Sequence, residues 1–174
     1  MSRAYTVRQV QATARVEGGD TLALSLCLLD ILEPSEMSAL LREELAALGW
    51  RPDAQGELSI GLDGGAVATL ARDASEVTLR LERLGEVSAK GASRSEAEAA
   101  VEAARARAAA RASERAAREL DAQEPALRAA VGEAVQRVYV RALKRRAASM
   151  GQVESVDERV DADGELELTI RVRV

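Results

Sequence analysis

The chain has 174 residues, of which 47% are hydrophobic and 30% charged, and a formal net charge of −5. That balance suits one compact globular domain or two very small ones, and it excludes an intrinsically disordered chain. With no His, no Phe and a single Cys, the Ser-His-Asp and Cys-His nucleophiles are ruled out and most metal sites are closed.

Aromatic residues make up only 2% of the chain, so the core must be assembled from Leu, Val and Ala. Mild acidity argues against a nucleic-acid partner, which would need a cationic surface. The lone Cys27 cannot form an intramolecular disulfide, as expected of a reducing compartment. Met1 to Gln9 contains no apolar signal core, and the longest apolar stretch, Leu22 to Leu32, is interrupted by Ser25 and Asp30. A membrane-spanning helix needs roughly 20 apolar residues. A cytoplasmic protein without membrane insertion is therefore expected.

Residues 4–16 are rich in β-formers, with a phase change near Arg8-Gln9-Val10 that predicts a bulge. Gly18-Gly19-Asp20 reads as a hairpin turn. Leu22, Leu24, Leu26 and Leu28 then alternate with small residues, which predicts a central strand with Cys27 packed inside it. Pro34 suits the first turn of a helix, and Met37, Leu40, Leu41, Leu45 and Leu48 mark one helical face. Gly49 is placed as a C-cap with Trp50 after it. A meander follows, with strands at 58–62, 67–70 and 77–81, and Gly85 to Ala92 reads as a loop.

Ser93-Arg94-Ser95-Glu96 matches a capping box. The segment to Ala122 is dominated by Ala, Arg and Glu and has a thin apolar stripe: Val101, Ala104, Ala108, Ala112 and Leu120. Pro125 is read as opening a second helix, with Leu127, Val131, Val135, Val138 and Ala142 along its face. The two helices would form a hairpin. Gly151 ends the second helix, and strands are predicted at 153–160 and 166–174.

Asp53-Ala54-Gln55-Gly56-Glu57-Leu58 is echoed by Asp161-Ala162-Asp163-Gly164-Glu165-Leu166. Each phrase follows a helical segment and a glycine and precedes an alternating run. The pattern predicts one α-β-β unit used twice, with a long helical insert between the copies. The expected fold is α+β, an antiparallel sheet built from two α-β-β units with an inserted long helical hairpin. The expected segments are 1–92 (an N-terminal β-hairpin plus the first unit), 93–124 (the Ala/Arg/Glu helix) and 125–174 (the second unit), within one compact domain.

Gly61, Gly64 and Gly65 could form a phosphate loop, but such a loop leads into a helix and a strand follows here. They are read as hairpin glycines. Asp161, Asp163, Glu165 and Glu167 could ligate calcium, yet Gly164 falls at position 4 and an EF-hand needs Gly at position 6. They are read as a turn and the wet face of a strand. Arg137, Arg141, Lys144, Arg145 and Arg146 could grip an acidic partner, or simply favour a helix C-terminus. By elimination, the Ala/Arg/Glu helix is the best functional candidate, as a docking surface or as plain packing. The candidate partner-binding residues are Val101, Arg105, Arg111, Arg115, Arg141, Lys144 and Arg145.

Three stretches carry a family resemblance. They are Ser2-Arg3-Ala4-Tyr5-Thr6-Val7, Met37 to Trp50, and Ala142-Leu143-Lys144-Arg145-Arg146-Ala147-Ala148-Ser149-Met150-Gly151 with the Asp-Gly residues after it. In layout the chain resembles the bacterial FtsH ternary system accessory proteins, which are encoded with an FtsH-like AAA+ ATPase. Its α-β-β units also resemble small uncharacterised cyanobacterial and plastid proteins. The first resemblance implies an accessory role in an ATPase-linked system, including biological conflict.

The reading is a non-enzymatic adaptor or assembly subunit with no cofactor and no metal. Its expected partners are other protein subunits, among them an FtsH-like AAA+ ATPase or a second copy of itself. The alternatives are a carboxylate-based small-ligand binder or enzyme, and a self-assembling structural protein.

Overall fold

The computed structural model describes residues 10–160 and 166–173. Elements follow in the order β1 (Val10–Ser25), α1 (Pro34–Ala47), β2 (Arg51–Pro52), β3 (Leu58–Gly61), β4 (Val67–Leu70), β5 (Glu76–Gly91), α2 (Arg94–Met150), β6 (Gln152–Val160) and β7 (Leu166–Arg173). The fold class is α+β, as expected. An antiparallel sheet has the strand order β1-β5-β4-β3-β2, and β6 and β7 pair in a sheet of their own. The expected union of both hairpins in one sheet is therefore not what forms. The second Asp-Ala-x-Gly-Glu phrase, 161–165, and its calcium-like acids lie outside the described residues, except Glu167, which is exposed on β7.

The chain divides into two compact units. One comprises Ala23–Ile60, Thr69–Thr78 and Pro125–Val174. In it, α1 starts at Pro34 and buries Met37, Leu40, Leu41 and Leu45, the predicted stripe, while Leu48 falls outside the core. Its end is a Schellman motif. Trp50 N–H donates to Leu45 O at 3.1 Å, Gly49 N–H donates to Ala46 O at 3.1 Å, and Gly49 takes φ +98°. Trp50 is buried against the core.

In the first copy of the repeated phrase, Asp53 Oδ1 accepts from Gln55 N–H at 2.9 Å and Glu57 N–H at 2.8 Å. Asp53 is thus spent on an Asx-type turn between β2 and β3. The turn from β4 to β5 is tied to α1, because Arg42 donates to Ala71 O and Arg72 O at 3.2 and 2.8 Å. Asp73 accepts from the Ser75 hydroxyl at 2.7 Å and from its N–H at 3.1 Å, and these bonds hold its carboxyl below the ordinary value.

The other unit comprises Met1–Leu22, Gly61–Ala68 and Leu79–Glu124. Here three sequence expectations are corrected. Gly18-Gly19 is not a turn, because β1 runs straight through it. A Cβ on Gly18 would lie 2.5 Å from Ala112 Cβ and 2.9 Å from Ala109 O, so the glycine admits the helix to close range. Residues 85–91 are not a loop but the end of β5. And β1 is an edge strand, not a central one. In the Ala23–Ile60 segment beyond it, Cys27 is exposed rather than packed.

The expected helical hairpin is one continuous helix, α2, with Pro125 inside it. Strong helix formers flank the proline on both sides, and they outweigh its missing N–H. The capping box is present: Ser93 Oγ accepts from Glu96 N–H at 3.2 Å, and Glu96 reaches back to Ala92 N–H at 3.1 Å. Gly151 ends the helix, as predicted. A Cβ there would lie 2.3 Å from Arg173 O, so the glycine also makes room for β7.

Candidate functional site

The first half of α2 packs its thin stripe inward. Ala97, Val101, Ala116 and Leu120 are buried, and Ala104, Ala108 and Ala112 are half-buried. Small side chains let the helix sit close, which is why Gly18 lies against Ala112. Arg83 of β5 anchors the helix by an ion pair with Glu119, and its other nitrogen donates to Gly64 O at 2.9 Å. Gln123 donates to Asp63 O at 2.9 Å. The glycine-rich turn Asp63–Gly65, with Gly64 and Gly65 at positive φ, is thus pinned by its own chain between β3 and β4. It is a hairpin connection, as predicted, and its backbone is not arranged around a phosphate.

Between the last part of β5 and α2 lies an open groove of about 400 Å³. Its strand side is lined by residues 83–87; Arg83 and Val87 share the face turned to the helix, and Leu84, 82% exposed, alternates to the opposite face of the strand. Its helix side presents Ala108 and Ala112, with Arg111 and Arg115 at the rim. The two arginines are i,i+4 and share one face. Neither has a hydrogen bond or ion pair among the described residues. The lining also holds Glu86 and the paired Arg83 and Glu119. Apolar Val87, Ala108 and Ala112 beside two guanidinium groups with no partner among the described residues are chemically suited to a peptide with an apolar side chain and nearby carboxylates.

The remaining predicted residues fall elsewhere. Val101 is a core residue at 5% exposure. Arg105 is exposed and pairs with Glu102 at 3.9 Å on its own helix. In the other unit, Arg141 bridges α2 to α1, at 2.7 Å from Glu44 and 2.6 Å from Glu43. Arg137 reaches Glu44 at 3.2 Å. The Glu44 bond, then that of Glu43, raises the Arg141 pKa above its ordinary value. Lys144 and Arg145 are exposed, and Arg145 lines a shallow basin with Asp30, Glu33 and Glu36.

The geometry brings Arg111 and Arg115 together and leaves Arg141 in a structural ion-pair cluster. Sequence reasoning missed Val87, because it lies in the segment read as a loop, and Leu84, because it falls between the predicted strand at 77–81 and that loop. The weak alternation of Val87 and Ala89 with Ser88 and Lys90 was the available signal.

Over residues 1–174 the chain matches the FtsH ternary system domain X5 family. The chain belongs to that family. No curated protein and no solved structure gives a significant match. As an X5 domain it carries the groove between the last part of β5 and the first half of α2. Among the described residues, no cluster of acidic or thiol side chains is placed to hold a metal ion. No helix among them is long and apolar enough to cross a membrane.

Proposed function

We propose that this FtsH ternary system domain X5 chain is a non-catalytic adaptor that engages protein subunits of an FtsH-like AAA+ ATPase system. The observation that carries the reading is the groove beside Arg111 and Arg115. Arg83 and Arg141, by contrast, are taken up in ion pairs within the fold. Two that share a face with an apolar groove and have no partner among the described residues are available to a second protein. Membership of the family supports the ATPase-linked setting. The partner segment is an extended or helical peptide that places one apolar side chain against Val87, Ala108 and Ala112 and acidic groups at the arginines.

The test is co-expression with an FtsH-like ATPase and the other components of its ternary system. Deleting residues 93–122 is a poor probe, because Ala97, Val101, Ala116 and Leu120 belong to the core. Arg111→Glu together with Arg115→Glu leaves the core intact and reverses the rim charge. The wild-type chain should co-purify with the ATPase system, and the double variant should lose that capture while keeping its far-UV circular dichroism. Equal capture by both would overturn the groove as the docking site.

A further inference from the structure

We propose that the outer edge of β1 binds a second copy of this chain in one defined antiparallel register. β1 spans 16 residues, Val10–Ser25, at the end of the strand order. Typical strands have about 5–6 residues. A long edge is a template for another strand unless it is blunted by proline, lysine or a bulge. Val10–Ser25 contains no Pro and no Lys. Its odd-numbered side chains are exposed from Gln11 through Ser25, with no slip of phase across Gly18-Gly19. Among the described residues no strand lies on its outer side.

The alternation also says which backbone groups are available. Leu26 N–H donates to Ser75 O at 2.7 Å, so even-numbered residues turn their backbone groups toward β5. The odd-numbered residues, Arg15 and Glu17 among them, turn theirs outward. Neither Arg15 nor Glu17 has a hydrogen bond or ion pair among the described residues, and both are exposed.

Two-fold pairing centred on Val16 sets Arg15 of each copy opposite Glu17 of the other. These are outward-bonding positions on both strands, so the pair exchanges backbone hydrogen bonds and two ion pairs form on the solvent face. A slip by one residue would turn core-side residues to solvent. A slip by two would set Arg15 against Arg15 or Glu17 against Glu17. The charges thus select one register. Gly18 and Gly19 fall opposite Ala14 and Thr13, with no bulky clash on either face.

The experiment is multi-angle light scattering on the full chain across a concentration series, with far-UV circular dichroism as the folding control. The wild-type chain should form dimers. Arg15→Glu and Glu17→Arg should each weaken the dimer by about tenfold or more. An equimolar mixture of the two variants restores complementarity and should dimerise. So should the swapped double variant, R15E with E17R. A wild-type chain that stays monomeric overturns the proposal. So do folded single variants that dimerise like wild type, or folded swapped and mixed chains that remain monomeric.

Discussion

At the residue scale, Glu44 is the most consequential charge among the described residues. Its side chain is 14% exposed and faces two guanidinium groups, Arg141 at 2.7 Å and Arg137 at 3.2 Å. Glu43 meets the same Arg141 at 2.6 Å, but its side chain is 56% exposed. Solvent screens the second carboxylate and leaves the first as the partner that matters. Glu44→Ala should therefore destabilise the chain by about 1–2 kcal/mol, toward the lower end for charged hydrogen bonds because Arg141 is itself partly exposed. Glu43→Ala should cost less than about 0.5 kcal/mol. Urea midpoints at an unchanged slope report both values. Equal losses from the two variants would refute the assignment.

At the element scale, α2 poses the central question: why it continues through Pro125 rather than turning back. A proline inside a helix forfeits one backbone bond and crowds the carbonyl four residues earlier, here Asp121, at about 3 kcal/mol. Continuity survives because residues on both sides are strong helix formers and both halves bury a stripe: Ala97 to Leu120 before the proline, Leu127 to Ala147 after it. Pro125→Ala should raise stability by about 1–3 kcal/mol and slow amide exchange around residues 121–126. A lower melting temperature would show that the proline is needed where it stands. The same element shows what could be read in advance. Local chemistry was legible: the capping box at Ser93, the Schellman end at Gly49 and the inward face of α1 all form as the residues predict. Non-local geometry was not. Gly18-Gly19 has the composition of a turn, and only the approach of Ala112 reveals that it is a contact. Residues 85–91 carry only a weak strand signal and extend beside β1, their neighbour in the sheet. The groove was half legible, since Arg111 and Arg115 stood out by charge while Val87 was hidden in the segment read as a loop.

At the scale of the whole molecule, two helix–glycine junctions lead into strand pairs with different fates. After α1 and Gly49, β2 and β3 join the five-stranded sheet; after α2 and Gly151, β6 and β7 pair in a sheet of their own. The division into two units does not fall between these junctions. It cuts across β1, β3, β4, β5 and α2, each of which contributes residues to both units. No strand that spans the division belongs wholly to one unit. The expectation is therefore a single cooperative unfolding transition. Trp50, the only tryptophan, is buried in the unit that contains α1, so its fluorescence reports that unit. Far-UV circular dichroism reports helix and strand from both. Coincident denaturant midpoints for the two probes are expected. A circular-dichroism transition that persists after Trp50 has reached its unfolded signal would mean that the shared elements fray at Pro125 and Leu22, where the units divide, and that the half bearing the arginine groove folds by itself.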